Sequence, residues 1–350
     1  MRSADAIVVG GGIIGLSLAL ELRRNGLSVM VIERGEPGRE ASHAAAGMLA
    51  PTGGHSEAPL HDLAQASARI YPEFVAEVEA ESGIHVDLRR HGTIVVDEGE
   101  VLPSDAQRLT CDDVRRLEPT LQLTCSGAFL QEQTVDPPSL TRAVLEAARK
   151  RGVEIISGSA VTEITTNAAG FEVHTLRTKY QSNVVVNCAG AWAAAISPVK
   201  LPVRPVKGQM LSAIPVHTAR VAHVIRAPQV YVVPRSDGRM LIGATVEEAG
   251  FDKRVQPEVI QSLLRQAADF LPALREAKMH DAWAGLRPAA PDNLPIMSAT
   301  SVPGYFVSSG HFRNGILLAP MAARVMAQLI TGRDPECDLS LLSASRFKAS

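Results

Sequence analysis

The sequence is poor in aromatic side chains and in cysteine, and its charges nearly balance. Aromatic residues make up 4 % of the 350 residues, and the four cysteines are Cys111, Cys125, Cys188 and Cys337. The cysteines have no paired spacing, which argues against a zinc site or a redox pair and favours a reducing, cytoplasmic compartment. A formal charge of −2 offers no attraction to nucleic acid or to an anionic membrane. We therefore expect a small molecule as the partner.

The chain also lacks an apolar run long enough to cross a membrane. Its first apolar stretch, residues 6–20, is shorter than the ~20 residues that a membrane span needs. Asp5 interrupts the basic region that a signal peptide would have, and no cleavage site of small residues follows. With 46 % apolar residues the chain can still bury a large core. We expect a soluble protein of two domains or one large one.

A strand, helix and strand pattern opens the chain. Residues 6–9 are fully apolar, residues 13–25 have helical spacing with Gly26 at the position of a C-terminal cap, and residues 28–32 form a second apolar run. This order in under thirty residues predicts two parallel strands joined by a right-handed crossover.

The turn between the first strand and the helix carries three spaced glycines. Gly10, Gly12 and Gly15 form the pattern G-x-G-x-x-G, in which the glycines allow a tight turn, close approach of a pyrophosphate and close helix packing. Glu33 ends the second strand, where a carboxylate accepts hydrogen bonds from ribose hydroxyls and repels a ribose phosphate. The motif therefore predicts a dinucleotide other than NADP, without separating NAD from FAD.

The rest of the chain alternates between two kinds of pattern. Helices are predicted near residues 60–82, 138–152, 257–270 and 314–330, and residues 83–99 have strand-like alternation. Between residues 206 and 284 the signals are mostly antiparallel, with an S-D-G turn inside a hairpin. We predict a nucleotide-binding domain interrupted twice by an antiparallel substrate domain. The first would comprise residues 1–83, 137–206 and 285–350, and the second residues 84–136 and 207–284.

Five segments carry a resemblance to a known family. They read ASHAAAGMLAP (41–51), VNCAGAW (186–192), YVVPRSDGRMLIGAT (231–245), WAGLRPAAPDNLPIM (283–297) and GHFRNGILLAP (310–320). Together they resemble the amino-acid oxidase family of FAD enzymes, and within it the glycine oxidase branch, over nearly the whole chain. The resemblance implies an α/β fold in which a Rossmann-type FAD-binding domain is interrupted by an antiparallel α+β substrate domain.

The resemblance also implies which residues hold FAD. The adenosine would lie on Glu33, the pyrophosphate at Ile13 and Ile14, and the isoalloxazine against Ala46 and its neighbours, where small residues let the backbone approach a flat ring. No cysteine occurs in residues 285–290, so we expect FAD to be bound non-covalently. The expected cofactor residues are Gly10, Gly12, Ile13, Ile14, Gly15, Glu33, Arg34, Ala41, Ser42, Ala46, Gly47, Met48, Val161, His311, Phe312, Arg313, Asn314, Gly315, Ile316 and Leu317.

A substrate carboxylate is expected to bind arginine. Arg287 precedes a proline that restricts its backbone, and a guanidinium can hold a carboxylate through two parallel hydrogen bonds. By resemblance, Tyr231 and Arg313 would assist it, while Met48 and Val246 would form the apolar wall that limits the size of the substrate.

The chemistry implied by the resemblance needs no side-chain base. A neutral amine would give a hydride from Cα to flavin N5, the imine would hydrolyse to an oxo acid, and O2 would be reduced to hydrogen peroxide. The histidines His85, His91, His217 and His223 lie in no pattern that suggests a base, and we interpret them as solvated or structural. The glycine imine could supply the thiazole ring of thiamine, and the family favours a homo-oligomer.

Three alternatives remain open at this stage. A dehydrogenase of the same fold would oxidise D-amino acids or sarcosine and pass electrons to an acceptor other than oxygen. An FAD subunit of a hetero-oligomeric glycine-oxidising complex would be inactive without its partner. An NAD-linked enzyme would be colourless when purified.

Overall fold

The computed structural model describes residues 2–51, 58–96, 102–104, 106–122, 126–167, 170–196, 198–216 and 221–347. Cys125 and His217 lie outside these residues. The strands are β1 Arg2–Val9, β2 Val29–Ile32, β3 Met48–Leu49, β4 Leu88–Arg89, β5 Thr93–Val95, β6 Gln107–Leu109, β7 Gly127–Leu130, β8 Gln133–Val135, β9 Glu154–Ile156, β10 Val161–Asn167, β11 Gly170–Thr175, β12 Lys179–Asn187, β13 Arg204–Ile214, β14 Val224–Arg226, β15 Tyr231–Pro234, β16 Met240–Gly243, β17 Lys278–Ala289, β18 Ile296–Ala299 and β19 Tyr305–Ser309. The α-helices are α1 Ile13–Arg24, α2 Ala41–Ala44, α3 His61–Ser82, α4 Cys111–Leu117, α5 Pro137–Lys150, α6 Ala193–Ile196, α7 Pro257–Phe270 and α8 Gly315–Ile330.

The first sheet contains the parallel pair predicted at the start of the chain. Its order is β10-β11-β12-β1-β2-β9, and β19 pairs with the end of β12 and with β18. Strand β1 runs parallel to both β2 and β12, and α1 forms the connection between β1 and β2. Because the carboxyl ends of parallel strands meet at one edge, Gly10, Glu33 and Cys188 come together there.

Helices cover one face of this sheet. Leu16, Leu20 and Leu22 of α1 are almost completely buried and pack in one core with residues of α3, α5 and α8. Helix α5 begins where the Asp136 side chain accepts a hydrogen bond from the Ser139 N–H at 2.9 Å, an N-terminal cap of the usual kind.

The second sheet is antiparallel except at one pair. Its order is β17-β13-β16-β15-β14-β5-β7-β6, and only β14 and β5 run parallel within it. The predicted hairpin is β15 and β16, with Gly238 in the turn at φ +87°. Alternate residues face opposite sides: Leu211 and Ile242 pack towards α7, whereas Met210 and Leu241 pack towards Ala46.

Residues 83–99 are less regular than their alternation predicts. Only Leu88–Arg89 and Thr93–Val95 form strands, and residues 97–99 lie outside the described part of the chain. All three residues of Thr93–Val95 are buried, so the alternation is absent where a strand does form. The strand-like alternation of residues 83–99 places His85 and His91 on strands, and this prediction is wrong, because both residues lie in connections between elements. These polar side chains are exposed because connecting segments usually run over the protein surface.

The division into two domains remains our prediction, since the sheets alone do not fix its boundaries. Among the helices of the described residues, none combines the length and apolar character needed to cross a bilayer.

Candidate active site

A cavity of about 760 Å³ lies between the two sheets. The carboxyl edge of the first sheet forms one end of it, and the inward face of the second sheet forms the other. Every residue expected at the cofactor or the substrate lines this cavity, with the single exception of Gly15. The structure thus brings together side chains that are up to about 300 residues apart in sequence.

The side chain of Glu33 holds the glycine turn through hydrogen bonds to the backbone. This carboxylate is 7 % exposed and accepts hydrogen bonds from the backbone N–H of Gly11 at 2.7 Å and of Gly35 at 2.8 Å. Gly10 has φ +111°, and a Cβ there would lie 2.7 Å from the backbone carbon of Cys188. Glycine is therefore required at residue 10 both by its conformation and by its neighbours.

Helix α1 points its N-terminus into the cavity. Gly12 precedes the helix without a capping side chain, and the N–H of Ile13 donates to Ser42 Oγ at 2.9 Å. The N–H groups of a first helical turn have no acceptor within the helix, so this end favours an anion. Gly15 packs below the turn instead, where a Cβ would collide with the Gly10 carbonyl oxygen.

The cavity continues past Glu33 to a stack of side chains. The guanidinium of Arg34 lies 3.9 Å from the ring centroid of Trp192, whose other neighbour is Phe251 at a centroid distance of 5.4 Å. Val161, 9 % exposed at the start of β10, lines the same end. Trp192 was missed from the sequence because nothing in its spacing distinguishes it from a core tryptophan.

The small residues at the centre of the cavity are held by the second sheet and by β8, which forms a separate three-stranded sheet with β3 and β4. The carbonyl of Ala46 accepts a hydrogen bond from Arg235 Nη2 at 2.6 Å, and the carbonyl of Gly47 accepts one from the Val135 N–H at 2.9 Å. The carbonyl of Ala44 accepts a third from Trp283 Nε1 at 3.1 Å. These three hydrogen bonds fix the backbone of residues 44–47, and because the side chains there are small, the backbone lies close to the cavity.

The entrance of α8 forms another wall. Phe312 has φ +46°, and its N–H donates to the Pro288 carbonyl at 2.7 Å, which joins this entrance to β17. His311 is 2 % exposed, and burial lowers the pKa of its imidazole to about 3. His311 is therefore neutral at physiological pH.

Arg287 is anchored on one side and open on the other. Its Nη1 donates to the carbonyls of Thr245 at 3.0 Å and Lys207 at 3.4 Å. Its Nε and Nη2 have no hydrogen-bond partner among the residues that the structure describes, at a position where Arg287 lines the cavity. Burial lowers the pKa of Arg287, but an arginine stays charged at neutral pH.

Two further expected residues lie within electrostatic reach of Arg287. Partial burial, and then the like charge of Arg287, lower the pKa of Arg313. Burial raises the pKa of the Tyr231 hydroxyl, which points at Met210 Sδ at 3.7 Å, so this phenol stays protonated at neutral pH. Two guanidinium groups near one apolar cavity end favour a ligand with a carboxylate.

One row of residues crosses the second sheet, and of its members only Tyr231 was expected from the sequence. Arg226, Tyr231, Gly243 and Met210 are successive partners on β14, β15, β16 and β13, and all four line the cavity. Arg226 is 6 % exposed and lies 3.5 Å from the Glu132 carboxylate. Only the register of four strands reveals this row, and no local motif encodes it.

The two residues expected to form the apolar wall differ in how deeply they lie in the cavity. Met48 and Val246 both line the cavity, yet Val246 is 52 % exposed and therefore lies at its rim.

Two of the histidines outside the cavity, His223 and His85, have carboxylate partners. His223 Nδ1 lies 2.6 Å from Glu118 Oε1, and His85 Nδ1 lies 2.7 Å from Glu79 Oε1. Within the described residues, no group of three or more His, Cys, Asp or Glu side chains could hold a metal ion.

Comparison with known proteins identifies the family. Residues 5–329 match the DAO family, described as FAD dependent oxidoreductase. The chain belongs to this family. It is 34 % identical to the bifunctional protein ThiO/ThiG of Synechocystis over 99 % of its own length and 54 % of that protein, so it spans about half the length of this relative. It is 32 % identical to the glycine oxidase of Geobacillus kaustophilus over 98 % of this chain and 97 % of that protein. The crystal structure of the glycine oxidase from that organism superposes with a TM-score of 0.94 at 30 % identity and covers 100 % of both chains.

The cavity fits the FAD on which the family depends. A carboxylate lies at the end of β2 for the ribose, the N-terminus of α1 lies beside it for the pyrophosphate, and small residues with exposed backbone follow for a flat ring. The mixed α/β fold of the family, expected from the motifs, is confirmed, and FAD rather than NAD is the cofactor.

Proposed function

We propose that the protein oxidises glycine and other small amines or D-amino acids to the corresponding imines, which hydrolyse to oxo acids. The observation that carries this proposal is the half-anchored guanidinium of Arg287 at the apolar end of the cavity. Bound FAD would supply the two-electron acceptor for the substrate and would return the electrons to O2 as hydrogen peroxide. Thiamine biosynthesis would use the imine of glycine in forming the thiazole ring.

The side chains would bind and orient the substrate rather than exchange protons with it. Arg287 would hold the carboxylate through the donors Nε and Nη2 that the described residues leave without partners. Tyr231 and Arg313 would add a neutral donor and a second positive charge. His311 is neutral at every pH well above about 3, so it keeps one protonation state during turnover. The amine would then react in its neutral form without a base from the protein.

The cofactor roles remain part of the same proposal. Glu33 would hold the ribose, the N-terminus of α1 the pyrophosphate, and the backbone around Ala46 and the α8 entrance the isoalloxazine. The first-turn N–H groups of α8 would stabilise negative charge on the reduced ring. Non-covalent attachment is supported because residues 285–290 contain no cysteine.

We further propose a cytoplasmic homo-oligomer. The absence of a disulfide among Cys111, Cys188 and Cys337 supports a reducing compartment. Light scattering of the purified protein measures the oligomeric state directly.

The first experiment mixes the purified flavoprotein with glycine, sarcosine, D-alanine and D-proline in turn, without oxygen. Loss of the oxidised-flavin absorbance with glycine, followed by rapid recovery and peroxide formation in air, is the expected result and ranks the substrates. Bleaching without recovery would identify a dehydrogenase, or a subunit that awaits its electron acceptor. If none of the four substrates bleaches the flavin, amine oxidation itself is wrong.

A further inference from the structure

Gly208 lies directly beneath the guanidinium of Arg287. It occupies β13 opposite Gly285 of β17, while Val206 lies opposite Arg287. Gly208 and Arg287 are therefore diagonal neighbours on the same face of the second sheet, close enough for a long side chain to cross the gap. Gly208 also lines the cavity, although no sequence motif marks it.

The absence of a side chain at Gly208 makes room for this guanidinium. A Cβ there would lie 2.5 Å from Arg287 Cζ and nearer still to both terminal nitrogens, well inside van der Waals contact. The backbone does not need glycine, because Gly208 is a strand residue outside the left-handed region. The position thus excludes a methyl group because of the arginine and not because of its own conformation.

Displacing the guanidinium would break its anchors. Nη1 donates to the carbonyl of Lys207, which precedes Gly208 on β13, and to the carbonyl of Thr245, which follows the end of β16. A methyl group would lift the guanidinium off both carbonyls. The arginine stem is flexible, so the displacement costs the fold little, whereas it moves the donors that would meet a carboxylate.

We propose that Gly208 is a positioning residue that sets where Arg287 holds the substrate carboxylate. This inference rests on the proposed function, because it assumes that Arg287 binds the carboxylate. A misplacement of about 1 Å can cost up to about a hundredfold in rate, and loss of one hydrogen bond to a charged group weakens binding roughly ten- to a hundredfold.

The test compares the Gly208→Ala holoenzyme with wild type. The dissociation constant of glycolate, a small carboxylate without an amine, is measured from the change in flavin absorbance, together with KM and kcat for glycine. We expect glycolate binding to weaken between about tenfold and about a hundredfold, KM to rise in parallel and the FAD content to stay unchanged. The matched control is Ile214→Ala at the exposed end of the same strand, 39 % exposed, which should change none of these quantities.

A double-mutant cycle decides whether the effect passes through Arg287. Arg287→Ala and the double variant should bind glycolate equally weakly, within about twofold, because the methyl group has nothing left to displace. Additive losses, unchanged glycolate binding in Gly208→Ala, or loss of FAD from that variant would each overturn the inference. If Arg287→Ala alone leaves glycolate binding unchanged, the substrate site of the proposed function is wrong, which is a separate outcome.

Discussion

Replacing Glu33 by alanine tests whether this carboxylate holds the glycine turn as well as a ribose. In the structure it accepts a hydrogen bond from the buried N–H of Gly11 at 2.7 Å and another from the exposed N–H of Gly35 at 2.8 Å. Leaving a buried donor unpaired costs about 1–3 kcal/mol. The Gly35 N–H can turn to water, so its loss adds about 1 kcal/mol or less.

We therefore expect Glu33→Ala to lower the free energy of unfolding of the FAD-free protein by roughly 1–4 kcal/mol. Glu33→Gln keeps one oxygen to accept from Gly11 and should lose about 1 kcal/mol or less. The measurement is urea unfolding followed by circular dichroism, with linear extrapolation to water. FAD has to be removed first, because a ligand that binds only the folded state adds its own stabilisation.

Glu36→Ala is the matched control, since Glu36 is exposed and its partner is Arg39 at 3.1 Å. A surface pair of this kind contributes about 0–1 kcal/mol. If Glu33→Ala and Glu36→Ala unfold at the same urea concentration, the carboxylate does not hold the turn, and its role is confined to the ligand. Equal losses in Glu33→Ala and Glu33→Gln would also refute the reasoning, because the charge rather than the acceptor would then matter.

Three further predictions concern the cavity. Arg287→Ala should weaken glycine or glycolate binding by about 2–5 kcal/mol without releasing FAD, and unchanged affinity in a titration would remove Arg287 from the site. Gly15→Ala should abolish tight FAD binding, because its Cβ would collide with the Gly10 carbonyl oxygen; a variant that purifies with full FAD would contradict this. Because the pKa of His311 is lowered to about 3, its contribution to stability is complete above the unfolded pKa of about 6.5 and is lost as the pH falls towards 3, by about 2 kcal/mol at pH 5. His311→Leu should therefore flatten the unfolding free energy between pH 6.5 and 5, and an unchanged slope in that range would assign the acid sensitivity to other groups.

The glycine motif and Glu33 were predictable because these residues lie close together in the sequence. The glycines and Glu33 lie within 24 residues, and the backbone of a tight turn dictates glycine at Gly10 whatever surrounds it. The bounds of the long helices were predicted within a few residues for the same reason, since apolar spacing and Gly26 are local signals. Arg287 and Tyr231 were predicted as substrate residues from the family resemblance, because the spacing of residues in the sequence does not identify them.

The nonlocal part was not predictable from a single sequence. Gly208 looks like an ordinary strand glycine until the register of β13 and β17 sets it under Arg287. Arg226 likewise reads as a polar residue at a strand end, and only its pairing with Tyr231 brings it to the cavity. The strands β6, β7 and β8, between residues 107 and 135, were missed because three or four residues are too few to display a clear period.

The contacts of Arg235 link the proposed substrate end of the cavity to its centre. Arg235 is 3 % exposed, follows β15 directly and lies 3.6 Å from the Asp136 carboxylate at the start of α5. Its Nη2 reaches across to the carbonyl of Ala46, in the segment proposed to line the isoalloxazine. Tyr231 begins the same strand, four residues earlier, at the proposed substrate end. A shift of this strand would therefore move a substrate donor and the backbone beside the ring together, so the distance between the two sites is fixed by one short strand and not by the flexible connections of the chain.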